Sequence, residues 1–229
     1  MADGCKPCSF CGKPNDAGRS HTMEEVAPFI ARLRRQHQAL VAAMVRRGAY
    51  QEAMAMLNDA TRLPALWRWH TAGRLTPELL NELLREWWCS TYTTLSLDSW
   101  QVIELFDRAG FVSDAPLPRG RLTIYRGQRA EADVGVCWSL SEAVAAKFAL
   151  HNTLRRTVVL STTAERNAIL GYLTERGEDE VIVDPDCLGD IQCKPLDERL
   201  RRLGERYQAE VTAELTAVEP GWVGSEAEG

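Results

Sequence analysis

The chain has 229 residues, of which 45% are hydrophobic and 26% are charged, and its formal net charge is −5. This balance is typical of a globular protein and excludes a fibrous or wholly disordered chain. The negative net charge also disfavours a protein that follows phosphate backbones without sequence preference. The length suits one catalytic unit with an accessory region.

The N-terminus does not carry the pattern of a secretory signal. The first twenty residues lack a basic segment followed by an apolar one, and nowhere do eighteen apolar residues follow one another. We therefore expect a soluble, cytoplasmic protein that does not contact a membrane.

Residues 1–22 are rich in candidate metal ligands and poor in aliphatic residues, so they cannot build a hydrophobic core. The candidate ligands are Cys5, Cys8, Cys11 and His21, and their binding of zinc would order the segment. The run Cys8-Ser-Phe-Cys11-Gly-Lys resembles the first knuckle of the zinc-binding domain of a bacterial protein-unfolding ATPase. The second Cys pair of that domain is absent here, so Cys5 and His21, or another chain, would complete the site. Free reduced thiols and an iron–sulfur site are the alternatives.

Residues 23–114 are predicted to form a helical accessory region, because apolar residues recur at helical spacing. Gly48 and the Leu63-Pro64 pair are expected to divide it. Thr76-Pro77 predicts the start of one helix, and Asp98 with Gln101 predicts the start of another that ends near Gly110. We interpret five tryptophans of this region as core: Trp67, Trp69, Trp87, Trp88 and Trp100.

The segment 115–120 contains two prolines and a glycine and is predicted to be a linker. Beyond it the pattern changes to short β-rich runs with one helix over 142–150. Strands are expected at 122–125, 157–160, 180–183 and 207–215. The predicted class is therefore α+β with antiparallel pairing, and residues 221–229 are expected to be a flexible tail.

Three short motifs stand out in the β-rich half, 115–220. They are Tyr125-Arg126-Gly127 at a strand end, Ser139-Leu140-Ser141 before a helix, and Glu178-Asp179-Glu180 at the start of a strand. In order and spacing they resemble the arginine, serine-x-serine and glutamate-x-glutamate signature of ADP-ribosyltransferases, in the branch of bacterial toxins and phage enzymes. The resemblance covers about residues 120–185, and this chain has Ser-Leu-Ser where the family usually has Ser-Thr-Ser.

The resemblance implies an ADP-ribosyltransferase-like split antiparallel β core and NAD as the substrate. It further implies the catalytic residues Glu180, Glu178, Ser139 and Arg126, with Tyr125, Gly127 and Ser141 also contacting NAD. Nicotinamide leaves the ribose through an oxocarbenium-like state, which a carboxylate such as Glu180 stabilises. Arg126 offers a bidentate fork to the pyrophosphate, and Gly127 lets the dinucleotide approach the backbone.

Strand alternation predicts that Glu178 and Glu180 share one face while Asp179 points away. Ser139 is expected to hydrogen-bond Glu180 and fix its rotamer. In the resembling family the first acid, here Glu178, engages the acceptor and accompanies arginine specificity. Taken singly, each motif also has an ordinary structural interpretation. Arg126 suits a surface ion pair, Ser141 suits a helix N-cap, and the acids suit a solvated turn.

These motifs favour a mono-ADP-ribosyltransferase that acts on a target protein, with arginine side chains favoured. The alternatives are an NAD glycohydrolase, a transferase acting on nucleic acid, and a catalytically idle adaptor whose cysteine knuckle binds another protein. Tyr172, in the loop region before the acids, is either a target contact or a half-buried strand residue.

Overall fold

The computed structural model describes residues 22–90, 96–151 and 156–217. The expected zinc ligands Cys5, Cys8, Cys11 and His21 and the expected tail 221–229 lie outside these ranges. The chain divides into two compact units between Asn58 and Asp59. Each unit is described by itself.

The described part of the first unit consists of two helices, α1 (Met23–Arg46) and α2 (Tyr50–Ala55). Gly48, with φ of +79°, adopts the left-handed conformation that ends α1. This end agrees with the break predicted there. A hydrogen bond of 2.7 Å joins His37 Nε2 to the carbonyl of Met56 and ties the two helices together.

Three helices open the second unit: α3 (Asp59–Thr71), α4 (Pro77–Trp87) and α5 (Ser99–Ala109). The predicted break at Leu63-Pro64 is wrong, because α3 continues through Pro64. Proline costs this helix one backbone hydrogen bond, but the adjoining Leu63 and Leu66 are completely buried. Their burial offsets the loss, since each large aliphatic side chain removed from water contributes about 1.5–3 kcal/mol.

The predicted helix starts at Thr76 and Asp98 are confirmed. Thr76 Oγ1 accepts a hydrogen bond of 3.3 Å from the Leu79 N–H, and Asp98 and Gln101 form a reciprocal capping box. A 3-10 turn over Trp88–Ser90 follows α4. Trp88 is completely buried and meets Phe106 edge to face at 4.8 Å, whereas Trp100 is 57% exposed and is not core.

The described strands are β1 (Val112–Ser113), β2 (Leu122–Arg129), β3 (Cys137–Ser139), β4 (Thr157–Ala164), β5 (Ile169–Leu173), β6 (Glu180–Val183) and β7 (Gln192–Pro195). They form a seven-stranded sheet in the order β1-β5-β6-β3-β2-β4-β7. The pairs are antiparallel except β1 with β5, which is parallel. The mixed α+β class is thereby confirmed, with the strands joined in one sheet.

Two helices belong to the C-terminal half, α6 (Glu142–Leu150) and α7 (Glu198–Ala217). The bounds of α6 are those expected, but the predicted strand at 207–215 is wrong, since that segment lies inside α7. The less exposed residues of α7 recur at helical rather than alternating spacing. They are Leu200, Leu203, Gly204, Tyr207 and Val211.

Helix α6 lies between the sheet and α7, in close contact with both. A Cβ built on Gly127 of β2 would stand 1.8 Å from the Ala145 carbonyl oxygen of α6. One built on Gly204 of α7 would stand 2.8 Å from backbone atoms of α6. Both glycines therefore permit backbone-to-backbone packing that no other residue allows.

The division at Asn58 differs from the boundary near residue 115 expected from composition. Helices α3 to α5 belong to the same compact unit as the sheet.

Among the described helices, none combines the length and apolar character that crossing a membrane requires.

Candidate active site

The three motifs meet on three neighbouring strands of the sheet. Ser139 of β3 is paired on one side with Tyr125 of β2 and on the other with Glu180 of β6. Directly paired residues in antiparallel strands have Cβ atoms about 4.5–5.5 Å apart and project to the same face. One residue from each motif therefore lies on a single line across the sheet.

Ser139 connects the second motif to the third, although not through the expected atom. Its Oγ, which is buried, donates a hydrogen bond of 2.6 Å to the backbone carbonyl of Glu178. The same Oγ accepts a hydrogen bond of 2.9 Å from the Ser141 N–H. The expectation that Ser139 bonds the Glu180 carboxylate is therefore not met. Ser139 instead fixes the backbone that carries both acids.

Glu178 is a buried acid with a cationic partner that the sequence did not predict. Its Oε1 lies 3.0 Å from Nζ of Lys147 on α6, and the two side chains are 11% and 15% exposed. A pair this well shielded from solvent is screened much less by salt than a surface pair. The acids are thus no solvated turn, because Glu178 is held inside the molecule by a specific contact.

The strand alternation expected for the two acids does not hold, since β6 begins only at Glu180. Asp179 has φ of +46°, a left-handed conformation uncommon for residues other than glycine. Its Oδ1 accepts a hydrogen bond of 2.8 Å from the Tyr172 hydroxyl. Burial and this hydrogen bond raise the pKa of Tyr172 to about 12. Tyr172 is thus a buried strand residue.

The loop between β5 and β6 is held at both ends. Asp114 accepts hydrogen bonds from the N–H groups of Thr174 and Glu175, at 2.9 and 3.1 Å. At the other end the Tyr207 hydroxyl of α7 donates to the Gly177 carbonyl at 3.1 Å. These contacts anchor the segment that leads into Glu178 and Glu180.

Glu180 is partly buried at the start of β6, and burial is the main cause that raises the pKa of its carboxyl. The nearby Cys137 and Trp88 side chains lower this pKa, while the charge of Glu178 raises it further. Desolvation disfavours the charged form of an acid, so this carboxylate is costly to ionise. A carboxylate with a raised pKa beside a second acid is a typical sign of a functional site.

Arg126 makes internal contacts rather than a surface ion pair. Its Nε donates to Gln128 Oε1 at 2.8 Å, and its Nη1 donates to the backbone carbonyl of Cys137. Gly135 leaves room for the guanidinium, because a Cβ there would lie 2.5 Å from Nη2. Burial lowers the pKa of Arg126, and the negative charge of Glu180 partly raises it again. Arg126 thus joins β2 to β3, and strand alternation places its side chain on the face opposite to Tyr125, Ser139 and Glu180.

Arg126→Lys is expected to lower the melting temperature and to weaken NAD binding. Lysine keeps the charge but cannot donate to Gln128 and Cys137 in the geometry of a planar fork. One lost buried hydrogen bond corresponds to about 1–3 kcal/mol of unfolding free energy. Calorimetric melting and titration with NAD measure the two effects. An unchanged melting temperature would contradict the structural role, and unchanged NAD affinity would remove Arg126 from the binding site.

The remaining predicted contacts to NAD have structural partners of their own. Ser141 is the N-cap of α6, accepting a hydrogen bond from the Val144 N–H. Tyr125 is half-buried and packs on the small core beneath α6 and α7. Gly127 provides the space for α6 described above. Their contact with NAD stays a prediction.

Several residues at this site were missed from the sequence. Cys137 lies two residues before Ser139 on the same strand, so alternation could have indicated it. Lys147 carries no motif, but it lies on the helix that Ser141 caps. Trp88 comes from the helical region, and no local pattern connects it with a strand ninety residues later.

No metal site is evident in the described residues, since no three side chains of His, Cys, Asp or Glu form a suitable group there. The zinc site expected from Cys5, Cys8, Cys11 and His21 falls outside these residues and stays a prediction.

Comparison with known proteins identifies no relative: no protein-family model, curated protein or solved structure matches the chain.

Proposed function

We propose that this protein is a mono-ADP-ribosyltransferase that cleaves NAD and transfers ADP-ribose to a macromolecular acceptor, with arginine side chains favoured. The observation that carries the proposal is the alignment of Tyr125, Ser139 and Glu180 on adjacent strands, with Glu178 beside them. This alignment brings together residues that are up to 55 positions apart in the sequence. The resemblance to ADP-ribosyltransferases implies that the arginine, serine and glutamate motifs meet, and the alignment of one residue from each motif supports the proposal.

The partly buried carboxylate of Glu180 suits cleavage of the glycosidic bond of NAD. When the bond between nicotinamide and the ribose carbon breaks, its electron pair leaves with nicotinamide and positive charge develops on the ribose. A fixed anion in a site with little water stabilises such charge far better than one in bulk solvent. Glu180 provides that anion, and Arg126 and Ser139 fix the strands around it.

The second acid suits activation of the acceptor. A guanidinium has a pKa above about 12 and becomes a nucleophile only when a base accepts its proton. Glu178 provides a carboxylate for this purpose next to Glu180. In the resulting transfer, the acceptor nitrogen forms the new bond to the ribose carbon and its proton passes to Glu178.

The proposal is tested by incubating the purified chain with labelled NAD and a bacterial lysate. Label that becomes attached to macromolecules and is released by protease supports protein as the acceptor. Release by nuclease would support nucleic acid, and label found only as free ADP-ribose would support a glycohydrolase. Recovery of intact NAD alone would contradict the proposal and favour an adaptor protein.

Glu178→Gln is expected to reduce transfer much more than hydrolysis of NAD. The neutral amide cannot accept the acceptor's proton, whereas a water molecule needs less positioning than a bulky guanidinium. Loss of general-base help corresponds to about 100-fold or more in transfer rate. Parallel assays of labelled protein and of free nicotinamide measure the two reactions. Equal loss of both would contradict the separate roles of the two acids.

A further inference from the structure

The pair between Lys147 and Glu178 raises a question that the proposed function leaves open. Glu178 is the acid expected to bind a cationic acceptor, yet Lys147 Nζ already lies 3.0 Å from its Oε1. Both side chains are largely shielded from solvent. An acceptor cation and Lys147 therefore need the same carboxylate.

The surroundings of the Lys147 ammonium form a site for a cation. Nζ lies 5.5 Å from the centre of the Tyr207 ring and 5.1 Å from that of the Phe148 ring. A cation within about 6 Å of an aromatic ring is attracted by its quadrupole. The Tyr207 ring is itself held in place by its hydroxyl, which bonds the Gly177 carbonyl next to Glu178. Carboxylate and rings together make a cation site that α6, α7 and the loop before β6 build.

This site is reached from the surface. Lys147 lines a groove between α6 and α7, together with Leu150, His151, Gln208 and Ala209. Lys147 belongs to the lining of this groove and Glu178 does not, so we expect a side chain in the groove to meet Lys147 first. Lys147 thus connects this groove with Glu178.

We propose that Lys147 is a specificity-determining residue, an internal cation that occupies the acceptor position on Glu178 until an acceptor guanidinium displaces it. This inference rests on the proposed function for the identity of the acceptor. A guanidinium presents a planar fork that bonds a carboxylate bidentately and stacks on aromatic rings, which a single ammonium does not. The competition with Lys147 therefore favours arginine-like acceptors over lysine-like ones.

The test is titration of the full chain with ethylguanidinium in the absence of NAD, by calorimetry. Lys147→Met keeps the aliphatic stem and removes the charge, and it should bind ethylguanidinium about tenfold more tightly than the unaltered protein. Adding Glu178→Gln to this variant should abolish the gain in affinity for ethylguanidinium. Lys194→Met, which removes an exposed lysine on β7, is the matched control and should leave affinity unchanged.

A second variant covers the case in which Lys147→Met does not fold, because it leaves Glu178 buried without a cation. Lys147→Arg keeps the charge and holds Glu178 with the stronger bidentate fork. It should fold and bind ethylguanidinium several-fold more weakly than the unaltered protein. The two variants should therefore differ from the unaltered chain in opposite directions. Equal affinities in all of the folded variants would overturn the inference.

The outcome separates this inference from the proposed function. If the chain consumes no NAD but the variants shift ethylguanidinium affinity as expected, the cation site stands and the transferase proposal falls. If NAD is consumed and the affinities do not change, the transferase proposal stands and Lys147 has no part in acceptor choice.

Discussion

Glu180→Gln should abolish both transfer to acceptor and hydrolysis of NAD, because both reactions pass through the same developing ribose cation. A neutral amide has the size and hydrogen-bonding capacity of the acid but cannot replace its charge. Removing one stabilising group of this kind corresponds to about 3 kcal/mol, or roughly 100- to 1,000-fold in rate. Release of nicotinamide, with and without acceptor, measures the effect. Full activity would exclude the transferase proposal.

The same substitution should leave the fold intact or stabilise it, which distinguishes lost chemistry from lost structure. Burial raises the pKa of Glu180 above its ordinary value of 4.5. The folded protein therefore binds this proton more tightly than the unfolded chain does. The unfolding free energy then decreases as the pH rises from 4.5 through the raised pKa. Glutamine removes that cost, so at pH 7 the melting temperature should equal or exceed that of the unaltered protein.

The rate of NAD cleavage should depend on pH in the opposite direction to the unfolding free energy. If the ionised carboxylate is the active form, NAD cleavage should fall as the pH is lowered through the raised pKa of Glu180. The fall should therefore begin at a higher pH than an ordinary glutamate would cause. A profile that is flat over this range would contradict the role of the anion.

Much of the fold follows from local sequence signals. Helix starts at Thr76 and Asp98 were predictable because capping depends on residues three positions apart. Strand β6 and helix α6 were predictable because their apolar patterns are short and bounded by clear starts. The strand predicted at 207–215 is wrong. Its β-branched and aromatic residues favour a strand, but the helical spacing of apolar residues begins earlier, at Leu200. The helix break predicted at Pro64 is wrong because the burial of the leucines around it outweighs the hydrogen bond that proline removes.

The candidate site was predictable in its parts but not in its contacts. The motif residues Tyr125, Ser139 and Glu180 share a line, so one residue of each predicted motif lies at the same place on the sheet. Their partners are set by tertiary packing that no local pattern encodes. The Ser139 hydroxyl bonds the Glu178 carbonyl instead of the Glu180 carboxylate, and Asp179, between the two acids, has a left-handed conformation. Lys147 reaches Glu178 because α6 lies directly on β2, which depends on the missing side chain of Gly127.

Gly127→Ala is accordingly expected to destabilise the protein strongly. The added Cβ would stand 1.8 Å from the Ala145 carbonyl oxygen and 2.6 Å from the Ala149 nitrogen, both of which are helix backbone. Such atoms cannot move aside as a flexible side chain can, so α6 as a whole must shift. Overpacking typically costs about 1–3 kcal/mol and occasionally more, and a contact this short with helix backbone belongs at the upper end. Urea unfolding of the unaltered and substituted chains measures the difference.

Gly189→Ala is the matched control for this prediction, since a Cβ there has no atom within 4 Å and Gly189 is exposed. The two substitutions add the same methyl group, so any difference between them comes from the contact with α6. If Gly127 served only to let a dinucleotide approach, Gly127→Ala would weaken NAD binding while leaving urea unfolding unchanged. Unfolding at clearly lower urea, with Gly189→Ala like the unaltered protein, would instead assign Gly127 to the packing that carries Lys147 to Glu178.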